Sequence, residues 1–448
     1  MKKLNLIALF VFTVNLSAQE NSTKQSHSYT LDEAIEYALT HNYSAINASR
    51  DLEAAKEKKW ETTTIGLPQI NAAVGYQNNI KLQKSLIPAE FFGGQAGEFA
   101  EVAFGTKQNM AASATLSQLI FNGSYLVGLQ SAKVYLQISE NTKIKTNQEI
   151  REMVINAYGN VLLADESMAI LEKNKTNLEK TLFETDQIFK NGLIEEENVE
   201  QLQITLSTIK SAQENVKRQK TIATNMLKIV LGITIENDLI LTDKLGSLAQ
   251  NNINLGLTQE SFLVANSIDY KIQENLVQSK KLLVLLEKSK ALPTLAAAYN
   301  FGYNAFGSQL QFFNSDQGWL NYSYVGLSLN IPVFSSFGRR AKTEQAKIAL
   351  DQAKTQMLQV EQSLKLQFEK AKSDYEFCLE QLSTTKSSLT LAERIENKQQ
   401  IKVKEGLSSS FDLSEAQRQL YTAQQNYLQA MLDVINKKAT LEKIVTKN

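Results

Sequence analysis

The sequence is short of the residues on which many catalytic, metal-binding and disulfide-linked proteins depend. Its 448 residues include one cysteine and two histidines. The single cysteine, Cys378, excludes a disulfide framework, and no cysteine lies near the N-terminus for lipid attachment. Because Cys378 falls on an apolar helical stripe, we expect it to be a small core residue.

Net charge is also lacking, since 47 basic residues balance 47 acidic ones. With no dense basic patch, the chain gives no reason to expect nucleic-acid binding.

His27 and His41 lack carboxylate partners for a zinc site, so a solvated surface role is favoured for both. The run Glu195–Glu197 is typical of a helix start. Ser408–Ser410 has no histidine partner and is interpreted as a turn and cap. Without a Walker-type loop or GxGxxG motif, the sequence predicts neither an enzyme nor a bound cofactor or metal.

Long apolar runs are absent except at the N-terminus, MKKLNLIALFVFTVNLSA. Lys2 and Lys3 precede an apolar core, and the small residues around Ala18 suit cleavage. This pattern predicts a secretory signal peptide over residues 1–18. No later stretch is apolar for 18 residues, so we expect no transmembrane helix.

Charge disappears from two segments with alternating side chains. Residues 291–338 carry one charged residue, Asp316, and many aromatic residues, and the flanks of 66–132 carry no charge. Apolar residues alternate with small or polar ones near 69–76, 110–116, 295–303 and 325–333, which predicts strands. Each run is about ten residues long, the length of a tilted membrane-spanning strand. The stretches at 84–107 and 307–318 are interpreted as loops. Two soluble hairpins on a helical body are the alternative, which the lack of charge disfavours.

The rest of the chain has helical periodicity. Between Arg339 and Glu405 there is no glycine or proline, and apolar residues follow three- and four-residue spacing. Such heptad seams predict coiled-coil packing. A helix of this length extends about 100 Å, too long for the core of a compact globule.

Three short sequence motifs each have a counterpart later in the chain. Gly66-Leu67-Pro68 matches Ala291-Leu292-Pro293, Leu119-Ile120-Phe121 matches Pro332-Val333-Phe334, and Gly192-Leu193 matches Gly406-Leu407. Their nearly constant offset predicts a duplicated unit of helix, strand pair, long helix, Gly-Leu turn and shorter helix.

Four strands are too few to close a membrane barrel, and an open sheet in lipid would leave backbone groups unpaired. Several chains are therefore expected to share one barrel. Two copies would give eight strands with an interior filled by side chains, and three would give twelve with room for a lumen.

The segment YTLDEAIEYALTHN, beginning at Tyr29, the duplicated strand pairs and the paired Gly-Leu turns resemble TolC-type outer-membrane efflux proteins. The resemblance extends from about Tyr29 to Val445. It implies a mainly α fold with a β membrane part. Long coiled-coil hairpins would form a periplasmic α-barrel, and four strands per chain would contribute to a 12-stranded trimeric outer-membrane β-barrel.

The predicted organisation follows the repeats. A signal peptide (1–18) precedes a first repeat (19–230) with a strand pair at about 69–121 and a tip at about 191–196. An inter-repeat equatorial segment (231–257) leads to a second repeat (258–448), with a strand pair at about 294–334 and a tip at about 405–410.

The resemblance also implies partners and a location. It implies a homotrimer in outer-membrane lipid that extends into the periplasm. Substrate would arrive from an inner-membrane transporter through a periplasmic adaptor protein. The channel would be a passive exit duct of a tripartite efflux or type I secretion system, gated at its periplasmic end. Two alternatives stay open: a structural coiled-coil envelope protein without a pore, and a soluble periplasmic adaptor.

The same resemblance assigns candidate site residues. Gly192, Leu193, Gly406 and Leu407 are expected at adaptor-docking hairpin tips, although a purely structural turn remains possible. We expect the glycines to be left-handed and Leu407 to fold back on the last helical turn. We expect Ser408–Asp412 to cap the returning helix, with Asp412 as the capping residue of a capping box. In the family, acidic rings line the closed end of the channel. The matching positions here are Asn397 and Gln400, which predicts a polar constriction instead.

Overall fold

A computed structural model describes residues 26–259, 262–314 and 317–445. The predicted signal peptide and Asp316 lie outside the described residues. The chain is mainly helical with a smaller β part, which confirms the predicted fold class. Within the described part, no helix is sufficiently long and apolar to cross a membrane.

Eight α-helices are found in the described residues, and two of them are very long. Helix α3 has 68 residues and α7 has 67. The helices are α1 (Leu31–His41), α2 (Tyr43–Thr64), α3 (Gly123–Lys190), α4 (Glu197–Leu231), α5 (Leu245–Asn251), α6 (Ile268–Ser289), α7 (Gly338–Lys404) and α8 (Ser410–Val445). Short 3₁₀ turns lie at Ala89–Phe92, Leu255–Gln259 and Val264–Asn266.

The chain divides into two compact units, each built from segments of both repeats. The first runs up to Asn42 and adds Met153–Asn251 and Thr384–Ile435. The second comprises Tyr43–Glu152, Asn252–Ser383 and the chain from Asn436 onward. The long helices contribute residues to both units.

The second unit contains a four-stranded antiparallel sheet. Its strands are β2 (Gln69–Asn78), β5 (Gln108–Asn122), β7 (Thr294–Gly307) and β8 (Trp319–Asn330), in the order β2-β5-β7-β8. Apolar side chains on the two edge strands are exposed, including Ile70 at 75% and Val325 at 75%. Among the described residues, no strand pairs with the outer edge of β2 or of β8.

Two details of the strand segments differ from the sequence-based expectation. The predicted loop after β2 contains a small hairpin of β3 (Lys84–Pro88) and β4 (Phe99–Ala103). A 2.8 Å ion pair between Lys84 and Glu101 joins these strands. The last strand ends at Asn330 rather than near Phe334. Pro332 has no amide hydrogen and restricts the preceding residue, which opposes continuation of the ladder.

The predicted helical seam of α7 is confirmed as packed core. Leu364, Phe368, Ala371, Tyr375 and Cys378 are all buried at helical spacing. The cysteine is buried, as expected for a small core residue. The Tyr375 hydroxyl also donates to the Asn252 carbonyl (2.8 Å) in the same unit.

The first unit contains a pairing that the sequence did not indicate. Strand β1 (Ser26–Tyr29) pairs in parallel with β6 (Asp238–Leu241), from the inter-repeat segment. Tyr158 of α3 is fully buried beside this pair, and its hydroxyl lies 2.9 Å from an Asp243 carboxylate oxygen and 3.1 Å from the Tyr29 carbonyl. The Leu31 amide donates to the same carboxylate (2.7 Å). Burial, followed by the hydrogen bond to Asp243, raises the pKa of Tyr158.

Candidate functional site

The first hairpin tip is a glycine-terminated turn between α3 and α4. Gly192 has a φ of 72°, in the left-handed region. Its amide donates to the Phe189 carbonyl (2.7 Å), and the Leu193 amide donates to the Ile188 carbonyl (3.3 Å). These two bonds form a Schellman motif, which satisfies the last carbonyls of α3.

The second tip repeats this geometry between α7 and α8. Gly406 has a φ of 70°, and its amide donates to the Val403 carbonyl (3.1 Å). The Leu407 amide donates to the Lys402 carbonyl (2.8 Å). The predicted left-handed glycines are therefore confirmed, and the sequence repeat corresponds to a repeated backbone motif.

The leucines after these glycines differ from the expectation. We expected Leu407 to fold back on the last turn, but only its backbone amide does so. The side chains of Leu193 and Leu407 are 74% and 77% exposed. Each tip therefore presents one apolar side chain outward.

Neither tip glycine is crowded. A Cβ atom added at Gly192 or Gly406 would meet nothing within 4 Å. The glycines are therefore required by backbone conformation and not by close packing within the chain.

The cap of α8 lies within the predicted segment Ser408–Asp412, three residues before Asp412, the residue expected to head the capping box. Helix α8 begins at Ser410, so Asp412 lies inside its first turn. The Ser409 hydroxyl accepts from the Asp412 amide (3.2 Å), and the Asp412 carboxylate accepts from the Ser409 amide (3.3 Å). Ser409 is thus the capping residue of a reciprocal capping box. The hydroxyls of Ser409 and Ser408 also donate to Asp412, and these bonds lower the pKa of its carboxyl group.

The first tip is capped differently. The residue before α4 is Glu196, whose side chain forms no capping hydrogen bond. Glu197 and Glu200 occupy the first turn, where the helix dipole favours negative charge. The two tips share a turn but differ in charge, with carboxylates after one glycine and serines after the other.

Polar contacts connect the two hairpins near their tips. The Ser410 amide donates to the Asn198 side-chain oxygen (3.2 Å), and the Thr205 and Ser414 hydroxyls are hydrogen-bonded. A 3.7 Å ion pair joins Lys404 of α7 to Glu184 of α3. Farther from the tips, Asn174 donates to Gln424 (2.9 Å). These residues were missed by the sequence analysis, because nothing local marks which polar residues of two helices will face each other.

The predicted constriction residues lie on α7 just before the second tip. Asn397 is exposed and Gln400 is half-buried in the single chain. Neither takes part in the contacts that join the two hairpins. The neighbouring carboxylates differ in environment, since Glu393 is exposed and Glu396 is half-buried.

Glu396 lies on a groove between the hairpins that the sequence did not reveal. The groove is a cavity of about 270 Å³ lined by residues of α3, α4, α7 and α8. Its walls include Ile204, Phe411 and Tyr421. Burial raises the pKa of Glu396, and a hydrogen bond to Gln417 partly opposes this shift. The groove thus combines apolar walls with one partly desolvated carboxyl group.

The described residues contain no group of three or more His, Cys, Asp or Glu side chains placed to hold a metal ion. His41 stacks on the Tyr37 ring with centroids 3.9 Å apart, and the His27 ring lies 6.0 Å from the same tyrosine. Both histidines therefore belong to an aromatic cluster in the first unit.

Comparison with known proteins identifies what this arrangement is similar to. Residues 273–446 match the family described as outer membrane efflux protein. No curated protein sequence matches the chain. Among solved structures, CusC superposes with a TM-score of 0.74 at 16% identity, over 93% of this chain and 92% of CusC.

Two further solved structures have the same fold. VceC, an outer membrane protein of Vibrio cholerae, gives a TM-score of 0.71 at 15% identity, over 93% of this chain and 95% of VceC. The outer membrane channel MtrE of Neisseria gonorrhoeae, in its open state, gives 0.69 at 16% identity, over 93% and 88% of the two chains. At such identities the likeness shows the fold.

The family match and the shared fold confirm the resemblance to TolC-type outer-membrane efflux proteins. They also confirm the predicted location, the outer membrane with an extension into the periplasm. The matched family consists of transport channels and not of enzymes, in agreement with the sequence analysis.

Proposed function

We propose that this outer-membrane protein of the efflux type is one protomer of a homotrimeric channel. The channel is the passive exit duct of a tripartite efflux or type I secretion system. Substrate reaches it from an inner-membrane transporter through a periplasmic adaptor. The channel is gated at its periplasmic end.

The observation that carries this proposal is the four-stranded sheet with two open edges. In lipid, unpaired backbone groups on β2 and β8 would each cost several kcal/mol. Successive strands of the sheet are antiparallel, so β2 and β8 run in opposite directions. An antiparallel pairing of β2 with β8 of the next protomer removes every edge. Three copies give twelve strands, wide enough for a lumen.

Cysteine cross-linking between the edge strands tests the closed barrel. The background carries Cys378→Ala, which removes the single native cysteine. Each variant carries Ala72→Cys on β2 and one further cysteine on β8, at Gly326, Leu327 or Ser328. Oxidation in membranes is expected to give covalent dimers and trimers for at least one pair. A matched control combines Ala72→Cys with Ala298→Cys on β7, which is already paired on both sides. Monomers alone in every pair would contradict the proposal.

Conduction separates the channel from the two alternative functions. In fractionated cells the protein is expected in the outer-membrane fraction. The purified trimer is expected to give single-channel currents in a planar bilayer. A structural coiled-coil protein would reach the membrane fraction without conducting. A periplasmic adaptor would be soluble after cell lysis. Either result would refute the duct.

For the hairpin tips we propose adaptor docking by Gly192, Leu193, Gly406 and Leu407. Both leucine side chains are largely exposed, and both turns leave the space beside the glycine open. An adaptor backbone can therefore approach the turn without meeting a side chain. Because the run Glu195–Glu197 follows the first glycine and Ser408–Ser410 occupies the matching positions after the second, a trimer would present six tips of two alternating kinds.

For the gate we propose a polar constriction at Asn397 and Gln400. Both residues carry amide side chains on α7 within ten residues of the tip. The contacts between Ser410 and Asn198 and between Lys404 and Glu184 tie the hairpins together at the same level. Opening requires α7 and α8 to shift against α3 and α4, which these contacts oppose.

A further inference from the structure

The groove between the hairpins contains a carboxyl group without a cationic partner. Glu396 is half-buried on the groove and its hydrogen-bonding partner is the neutral side chain of Gln417. The one cationic residue among the described residues that line the groove is Arg418. Its guanidinium group binds both carboxylate oxygens of Glu415, at 2.7 to 2.9 Å. Arg418 is therefore already paired, and no cation forms an ion pair with Glu396 in the part of the chain that the structure describes.

A second polar atom in the groove also lacks a partner. The Gln417 side-chain oxygen is buried and accepts no hydrogen bond from the described residues. It belongs to the same side chain that is hydrogen-bonded to Glu396. A buried acceptor left unpaired disfavours the empty site, and a ligand with an N–H or a positive charge would relieve this cost.

The remaining walls favour an apolar body. Ile204 and Leu420 contribute aliphatic surface, and Phe411 and Tyr421 contribute aromatic rings. An aromatic ring also attracts a cation to its face. A volume of about 270 Å³ suits a small organic molecule.

We propose that the groove binds a small amphiphilic ammonium ion, whose charge is balanced by Glu396 and whose apolar part contacts Phe411 and Tyr421. The ligand bridges the two hairpins, because its walls come from α4 on one side and from α7 and α8 on the other. Binding therefore holds the hairpins together and stabilises the tip contacts. The site is independent of whether the channel conducts.

Benzyltrimethylammonium is the probe, titrated by calorimetry into the full-length trimer in an uncharged detergent. One probe is expected to bind per protomer. A neutral aromatic of similar size, 4-isopropylbenzyl alcohol, is expected to bind at least about tenfold more weakly, the loss typical of removing one charge-assisted contact. Glu396→Gln is expected to weaken binding of the ammonium ion by the same factor.

A matched control lies one helical turn away. Glu393 is exposed on the same helix, so Glu393→Gln should leave the affinity unchanged. Acidification supplies a second readout on the unaltered protein, useful if a variant does not fold. Of the other charged groups on the groove, Glu415 and Arg418 of α8 neutralise each other, and α3 and α4 contribute none. Burial raises the pKa of Glu396, so this carboxyl group becomes protonated at a higher pH than an exposed glutamate. As the pH is lowered, the affinity for the ammonium probe should therefore fall at a higher pH than it would for an exposed glutamate.

Several outcomes would overturn the site. Absence of binding to the trimer would mean that a neighbouring protomer already fills the groove or supplies the cation. Equal affinity for the charged and neutral probes would remove the role of Glu396. Equal losses from Glu393→Gln and Glu396→Gln would show only nonspecific attraction to the acidic surface.

Discussion

The left-handed glycines at the hairpin tips allow docking to be separated from turn formation. Gly192 and Gly406 have φ values of 72° and 70°, and neither is crowded by neighbouring atoms. Alanine at either position therefore keeps the surroundings intact but disfavours the backbone. Asparagine tolerates the left-handed region much better than other residues with a Cβ atom. The two substitutions add a side chain at the same place with different costs for the turn.

The magnitude follows from this geometry. A Cβ atom added at either glycine meets nothing within 4 Å, so steric clashes add nothing to the free-energy cost of the left-handed backbone conformation. Gly406→Ala should destabilise the second tip by about 1 kcal/mol, and up to about 2 kcal/mol, from the left-handed conformation alone. Gly406→Asn should cost clearly less. Gly192→Ala and Gly192→Asn should behave in the same way, since the hydrogen bonds of the two turns match.

Two assays read the two effects. Hydrogen exchange of the Leu193 and Leu407 amides reports turn stability, because both amides donate within the turns. Co-purification with the cognate adaptor, together with susceptibility of cells to a panel of toxic compounds, reports docking. If the adaptor backbone approaches the glycine closely, Ala and Asn should both abolish docking while trimers remain intact. Gly246→Ala, at an uncrowded glycine outside the tips, is the control.

Different results would refute different parts of the reasoning. Equal hydrogen exchange for Ala and Asn variants would contradict the backbone argument. Full docking by the Asn variants, with weakened docking by the Ala variants, would leave the glycines as turn residues only. Unchanged docking and efflux for all four variants would reject the tips as an adaptor site.

Three further predictions concern the gate, the core of the first unit and the second tip. Asn397→Ala and Gln400→Ala together should raise single-channel conductance and antibiotic leakage, and unchanged values would remove them from the constriction. Tyr158→Phe should lower the free energy of unfolding by about 1.5–3 kcal/mol in denaturant titrations, because a buried hydrogen bond to a carboxylate is lost; a change below about 0.5 kcal/mol would contradict the structure. Hydrogen bonds lower the pKa of Asp412 in the folded state, so their stabilisation is present above its ordinary value of 3.8 and is lost as pH falls through the lowered value. Ser409→Ala should therefore make the thermal midpoint less dependent on pH in acid, and an unchanged slope would reject the capping box.

The repeated local patterns account for what could be predicted. Alternation of apolar and polar residues indicates a strand wherever it occurs, because successive side chains point to opposite faces. The same holds for the seam through Phe368 and Tyr375, where three- and four-residue spacing forms one helical face. Glycine between two helical patterns identifies a turn that needs a positive φ, which is why Gly192 and Gly406 could be assigned without a structure.

Capping shows the limit of local patterns. Ser409 and Asp412 both have side chains suited to a cap, and both lie in the predicted capping segment, where the capping-box pattern favoured Asp412. The choice depends on where the helix starts, and the Ser410 amide is held by Asn198 of the other hairpin. The contact between Ser410 and Asn198, which are far apart in sequence, thus lies at the start of α8. The capping preferences of the local sequence did not fix that start.

Sequence alone determined the long helices, the four strands of the main sheet and the Gly-Leu turns between helices, because periodicity and glycine placement act within a few residues. Tertiary structure alone decided the pairing of β1 with β6, the burial of Tyr158 against Asp243, and the position of Glu396 on a groove whose one arginine is paired with Glu415. Each of these depends on which faces of distant segments meet. The packing of these faces is the one that minimises the free energy of the whole chain, so no short stretch of residues encodes it.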